Sequence, residues 1–324
     1  MEWKTKLTEI IGTKYPIIQG SFAGFGDYRL ATAVSEAGGL GMITAGALKT
    51  PKNLQNDIRR ARSITDKPIA VNLTVGMCPY IDEMRDVAIE EKISVVETSA
   101  FNASEHGKKI KEAGIPWIHK VATVEHAVAA TRQGADAVVI VGIEGTGFKS
   151  IRQLPLSIAI PMAMKQIEVP IVAAGGIGSG RGLLSALALG AQGIYMGTAF
   201  MATKECPIPD KHKRRLINFS PSDPAIRDKV LSIPDPERVR KAMEKRKSIT
   251  QDQWLSQLEL ALSNGSEGGS GDQLHETEEV LRLAPGSLAV AFLNEVCTVN
   301  QLIKRIIAEA ESSLSNFLDL SGYY

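Results

Sequence analysis

The sequence is short of cysteine, has almost no net charge and contains no long apolar run, and each shortage closes off a class of function. Its three cysteines among 324 residues, Cys78, Cys206 and Cys297, are scattered and odd in number. Neither a disulfide framework nor a CxxC metal knuckle follows from them, so free thiols in a reducing compartment are expected and a metal site is not. The 37 Lys and Arg against 36 Asp and Glu leave a net charge of +1, without the basic excess that nucleic acid or an anionic membrane surface demands. No segment approaches the ~18 apolar residues of a membrane span. The first residues, MEWKTKLTEIIGTKYP, hold no apolar stretch of signal-peptide length. A cytoplasmic protein that acts on small molecules is expected, and a homo-oligomer is left open.

What the chain does contain is a repeated alternation. With 44% hydrophobic residues it can bury a substantial core. Short β-branched or apolar runs recur at YPIIQG (15–20), LGMITAG (40–46), PIAVNLTV (68–75), SVVETSA (94–100), PWIHKVAT (116–123), AVVIVG (137–142), PIVAAGG (170–176) and GIYMGTAF (193–200). Each is followed by a helix-like segment, and continuous apolar runs suit parallel strands covered on both faces. Eight such units predict a (β/α)8 TIM barrel. Gly38, Gly114, Gly134 and Gly190 read as helix stops. From 206 to 285 the texture turns polar, helical and charge-rich, broken by SNGSEGGSGD, which reads as a small helical insertion after strand eight. The amphipathic tail then supplies the last barrel helix. Residues 1–205 and 286–324 are expected to form the barrel, with 206–285 as a lid over its C-terminal face.

The stretch PIVAAGGIGSGRG packs five glycines between Gly175 and Gly182. A dinucleotide fingerprint would need an acidic residue ending the next strand, and GIYMGTAF offers none. One or two of the glycines are accounted for by tight packing. In a barrel, the loops after strands seven and eight form the usual phosphate site. Here they place GGIGSGRG beside Met196, Gly197 and Thr198.

Taken together, PIIQGSFAG, VNLT, IHKVATVEHAVAATRQGADAVVIVGIEGTG and PIVAAGGIGSGRGLLSALALGAQGIYMGTAFMATKE resemble the nitronate monooxygenase (2-nitropropane dioxygenase-like) family, itself similar to the flavin-dependent enoyl-acyl-carrier-protein reductases. The resemblance implies FMN at the barrel mouth. It implies Ser21, Phe22 and Ala23 along the flavin ring, although the family usually has Pro-Met at 21–22. Asn72 and Thr74 would lie near flavin or substrate, Lys120 beside the flavin, Thr146 in the strand-six loop, and Ala174, Gly175, Gly176, Gly197 and Thr198 in the phosphate cup. Lys120 has a physical argument of its own: a lysine inside a buried strand is costly unless an anion faces it or it snorkels to water. His119, its neighbour, should point the other way as a structural histidine.

The family's strand-six loop normally reads Glu-x-x-Gly-His-x-Gly. Here Glu144 and Gly147 are kept while Phe148 stands in the histidine position, and phenylalanine cannot take a proton. The resemblance therefore makes Lys120, Glu144 and position 148 the catalytic positions, with the base missing. Three readings follow. The first is an FMN-dependent oxidoreductase oxidising a small anionic substrate that arrives already ionised. The second is an NAD(P)H-dependent reductase passing hydride through FMN to a quinone, an enoyl thioester or another acceptor. The third is a degenerate, non-catalytic flavoprotein. A barrel for a sugar phosphate or pyridoxal phosphate is the residual alternative.

Overall fold

The computed structural model describes residues 2–21, 26–147, 149–245 and 286–320, so Phe22, Ala23, Phe148 and the part of the insertion from 246 to 285 lie outside the described residues. Eight strands, β1 (Ile17–Gln19), β2 (Gly41–Thr44), β3 (Ile69–Thr74), β4 (Val95–Ser99), β5 (Trp117–Val121), β6 (Ala137–Val141), β7 (Ile171–Ala174) and β8 (Gly193–Met196), alternate with helices. They form one parallel sheet in the order β1-β8-β7-β6-β5-β4-β3-β2. The expected (β/α)8 TIM barrel is the observed fold, and each of the eight apolar runs supplies one strand.

Closure depends on a thin seam. Between β1 and β2 there is a single parallel bridge, Ile18 to Leu40, with Gln19 N donating to Leu40 O and Leu40 N to Ile17 O, both at 2.9 Å. The buried side chain of Gln19 extends this ladder: its Nε2 donates to Met42 O at 2.9 Å and its Oε1 accepts from Met42 N at 3.0 Å. An amide has one donor end and one acceptor end, and here it stands in for a missing backbone pair.

The strands are buried on both faces, which explains why they read as unbroken apolar runs. Ile18, Leu40, Met42, Ala70, Val95, Ile118, Val139 and Val172 share the barrel interior with Leu7 and Ile11. These last two come from helix Lys6–Ile11, which sits at the N-terminal ends of β1 and β8; Leu7 reaches Gly193, and Thr5 Oγ1 donates to Gln192 O. The alternate residues, among them Ile17, Ile43, Val71, Val96, Val138 and Ile171, pack outward against the helices. The glycines read as helix stops all adopt the left-handed backbone, Gly38 at φ +96°, Gly114 at +75°, Gly134 at +98° and Gly190 at +105°, the conformation an αL helix terminus requires.

After β8 the chain forms helices Asp210–Asn218, Pro224–Leu231 and Pro236–Glu244. It then returns through a 3-10 turn, Leu288–Phe292, to helix Val299–Leu320, which packs on helices Gly180–Ala188 and Tyr28–Glu36. That is the place of the eighth barrel helix. Gly180 is a packing glycine, since a Cβ there would strike the backbone of Ile306 and Ala310, and at Gly178 it would come within 3.3 Å of Phe292 Cβ. The Gln19 bond pair gives a test: Gln19→Leu, which strands Met42 N and O, should lower the unfolding free energy by about 2–4 kcal/mol in urea. A loss below about 0.5 kcal/mol would show that the seam closes without it.

Candidate active site

Along the inward faces of β3, β4 and β5 the side chains change from apolar to polar as the strands approach their C-terminal ends. Ala70 gives way to Asn72 and Thr74, Val95 to Glu97 and Ser99, and Ile118 to Lys120. The period of two places all of them on the barrel axis, and β8 adds Tyr195. They meet in one network. Glu97 Oε1 accepts from Asn72 Nδ2 at 2.8 Å and from Tyr195 OH at 3.2 Å, and lies 3.5 Å from Lys120 Nζ. Lys120 Nζ also donates to Tyr195 OH at 3.0 Å and to Ser21 O at 3.4 Å. Ser21 contributes its N at 2.9 Å and its Oγ at 3.0 Å to the same phenol oxygen. Thr74 Oγ1 donates to Asn72 Oδ1 at 3.0 Å and accepts from Ser99 Oγ at 3.1 Å. Room for the Tyr195 ring comes from Gly20, where a Cβ would sit 2.9 Å from Tyr195 Cε1.

The anion that a buried lysine demands is therefore a protein carboxylate, Glu97. Sequence reasoning missed this residue, although a glutamate in the middle of SVVETSA carries the same signal as the lysine in IHKVA. Burial pushes the Glu97 carboxyl up from its ordinary range, offset in part by Lys120, Tyr195 and Asn72. Burial alone would lower Lys120, but attraction to Tyr195 and Glu97 and hydrogen bonds to both outweigh it and hold the ammonium above its usual range. Three donors converging on one carboxylate oxygen are the arrangement of an ion pair. The Tyr195 phenol is pushed up to about 12, first by burial and then by Glu97. The pair is oriented: the Lys120 side chain is 12% exposed and that of Glu97 1%, so the positive end faces the mouth and the negative end lies beneath it.

His119, on the opposite face of β5, is buried with Nδ1 2.7 Å from Thr98 Oγ1, which also accepts from Trp117 Nε1 at 2.7 Å. Burial lowers it to about 4, so it is neutral and structural, as its position on the strand predicts.

Beside this network lies the glycine rim. Gly175 (φ +110°) and Gly176 (φ +66°) adopt left-handed backbone; an added Cβ would lie 2.9 Å from Gly145 N at the first and 2.9 Å from Glu144 Cβ at the second. At Gly197 an added Cβ meets nothing within 4 Å, so the side-chain direction there is open. Ala174 ends β7 and accepts from Gly142 N at 2.8 Å. The Thr198 hydroxyl is engaged by the returning chain, lying 3.0 Å from Ser287 Oγ and accepting from Ser287 N at 2.9 Å. Thr146 is half-buried in the loop after β6. The Glu144 carboxylate accepts from Leu156 N at 3.1 Å, where it caps helix Leu156–Met164, and its carbonyl accepts from Leu288 N at 3.1 Å.

Lys149 is a buried lysine of the strand-six loop. A lysine in a loop should be solvated, yet this one is buried, its Nζ donating to Ile143 O at 2.9 Å and to Val230 O at 2.6 Å. Burial lowers it to about 8. Its reason for being there is geometric, since it ties the strand-six loop to the last turn of helix Pro224–Leu231.

A parallel barrel with a charged network and a Cβ-free rim at its C-terminal mouth is the frame of a barrel enzyme. A family model described as nitronate monooxygenase matches residues 4–97 and 78–309. A probable nitronate monooxygenase of Staphylococcus saprophyticus is 30% identical over 72% of this chain and 78% of its own. The (3aS,4S,5R,7aS)-5-hydroxy-7a-methyl-1-oxo-octahydro-1H-indene-4-carboxyl-CoA dehydrogenase of Rhodococcus jostii is 33% identical over 71% of this chain. The match spans 64% of that relative's length, and 66% of the Mycobacterium tuberculosis protein of the same name. Among solved structures, FabK from Thermotoga maritima is similar at 29% identity with a TM-score of 0.76, covering 99% of both chains. The chain belongs to the nitronate monooxygenase family, a family of oxidoreductases.

Lys120→Met would strand Glu97 as an unpaired buried carboxylate and should cost about 3–5 kcal/mol at neutral pH. The folded pKa of Glu97 lies above its unfolded value, so its stabilising contribution is complete below the unfolded pKa and is lost as pH rises through the folded one. Urea denaturation of this variant should show the deficit shrinking as pH falls from neutral toward about 4. A deficit independent of pH would contradict the pairing.

Proposed function

We propose that the protein is an FMN-dependent oxidoreductase that oxidises a small anionic substrate. The observation that carries this reading is the Cβ-free rim: glycines at 175 and 176 that no other residue could replace without strain or collision, beside Gly197, whose side-chain direction is open. Anion-binding concavities in barrels are built this way, from main-chain N–H groups after the last two strands. Gly175, Gly176, Gly197 and Thr198, with Ala174 behind them, would hold the monophosphate. Ser21, Phe22, Ala23, Asn72, Thr74 and Thr146 would line the ring and substrate space. FMN, when bound, supplies the two-electron chemistry.

The chain's own groups prepare the site for negative charge. The Lys120 ammonium, uppermost in its pair with Glu97, presents positive potential to the mouth without reorganisation. Asn72 and Thr74 are fixed by bonds to Glu97 and Ser99 and so hold one orientation. Position 148 carries phenylalanine, and the loss of a general base costs a proton abstraction about 10²–10⁴-fold. A substrate that enters as a preformed anion, such as a nitronate, avoids that loss. The helices that follow β8 would exclude water from the mouth, and Lys149 joins one of them to the strand-six loop.

A second reading is favoured by one observation, the likeness to FabK over 99% of both chains. In it NAD(P)H is the electron donor and an enoyl thioester or quinone the acceptor. Anaerobic mixing separates the two. Bleaching of the flavin by a preformed nitronate, with NADH and NADPH inert, is the outcome expected of the first; bleaching by a nicotinamide alone would transfer the case to the second. Protein that takes up no FMN overturns both.

Gly197→Val tests the cup directly. Gly197 lies in the right-handed region with negative φ (φ −98°, ψ −66°) and has free space at its Cβ, so the variant should fold with an unchanged Tm yet lose FMN affinity by about tenfold or more. Unchanged affinity would place the phosphate elsewhere.

A further inference from the structure

The outer helices of a barrel face the strands on one side and water on the other, and their sequences normally show it. Helix Pro51–Arg62 turns Lys52, Arg59 and Arg60 outward, and helix Ser104–Glu112 turns out Glu105, Lys108 and Lys109. Helix Leu156–Met164 is different. It holds no charged residue: Leu156, Ala159, Ile160 and Ala163 are buried against the barrel, while Ile158 and Met162, one turn apart on the outer side, are 50% and 41% exposed. A helix that is apolar all round belongs in an interior. We propose that this outer face is the interface of a homodimer, in which helices Leu156–Met164 of two copies pack antiparallel across a two-fold axis near Ile160. The proposal needs neither bound FMN nor a particular substrate.

The apolar surface continues beyond the helix. Ile151, in the strand-six loop, is 51% exposed, and the bond from Lys149 Nζ to Val230 O at 2.6 Å brings up Leu231 and Ile233, 38% and 58% exposed. These five side chains together expose on the order of 500 Å², the size at which an apolar patch marks an interaction site. Two such faces pressed together remove about 1,000 Å² from water, the lower bound for a specific interface before any polar rim is counted. The rim supplies the reason for a second copy rather than another protein. An antiparallel pairing centred on Ile160 sets Ile158 against Met162 of the second copy. It also sets Arg152, eight residues before the centre, against Glu168, eight after it. Both side chains are exposed, and neither is in an ion pair among the described residues. Within one copy the helix holds them apart at its two ends, whereas two copies form the pair twice. Lys165, next on the stripe, falls opposite Pro155, where its stem covers apolar surface and its ammonium stays wet. A surface whose two ends complement each other fits itself under two-fold symmetry.

Sedimentation equilibrium of the full chain without added flavin is the test, so that a failure of the FMN reading leaves it untouched. The wild type should be a dimer at micromolar concentration. Ile158→Glu puts an unpaired charge at the centre of the face and should give a folded monomer, with association weakened by about a hundredfold or more. Should that variant fail to fold, Met162→Glu decides. Phe317→Glu, at an exposed apolar residue of helix Val299–Leu320, should leave the dimer intact. The charges test the two-fold relation: Arg152→Glu and Glu168→Arg should each weaken the dimer by about tenfold, and both substitutions in one chain should restore it. A wild-type monomer overturns the proposal, whether the face is then bare or covered by residues 246–285 of the same chain. A dimer indifferent to Ile158→Glu and Met162→Glu has its interface elsewhere and overturns it equally. Single charge variants that weaken association without rescue in the double variant overturn the antiparallel pairing.

Discussion

An ammonium and a carboxylate face each other inside the barrel, Lys120 from β5 and Glu97 from β4, and the upper part of the interior is arranged around them. Neither charge could be buried alone without a penalty of several kcal/mol. Together they recruit Asn72, Tyr195 and the Ser21 main chain, so that four strands and the first mouth loop are fixed to one another by polar bonds rather than by side-chain packing. Such a network specifies geometry more than it adds stability. Its worth to the protein is a set of groups that cannot move independently at the place where a ligand would sit.

The orientation of the pair connects structure to function. Below it the barrel is filled by Ile18, Met42, Val95, Ile118 and Val172, a low-dielectric medium in which the field of a dipole is weakly screened. Above it the positive end is turned toward the mouth and the glycine rim. Both features favour an anion there, the rim through main-chain N–H groups and the pair through charge. A family of oxidoreductases and a site prepared for negative charge therefore point the same way without depending on each other.

Most of the fold was legible because its signals are local. Unbroken apolar runs, glycine after several of the helices and Thr or Ser at several helix starts are short-range consequences of a doubly covered parallel sheet. Thr123, for example, caps its helix by accepting from His126 N, as TVEHAVAATR suggests. The site was legible in part. Lys120 stood out because it is costly in a strand. That Lys120 and Tyr195 meet Glu97 depends on strands 22 to 98 residues apart closing into a ring, which no local pattern encodes. Gln19 and Lys149 give no signal in the sequence for a similar reason: a polar side chain looks solvated until the elements that bury it are in place. The motif singles out Glu144 but carries no sign of the bond its carboxylate accepts from Leu156 N at the start of a helix.

The central claim is that Lys120 and Glu97 interact as a buried ion pair. A double-mutant cycle combining Lys120→Met and Glu97→Gln, read by urea unfolding of the four proteins, measures that interaction most directly. The account predicts that the double variant recovers much of what the Lys120 variant loses, with a coupling of about 2 kcal/mol or more. Additivity to within about 0.5 kcal/mol would contradict it.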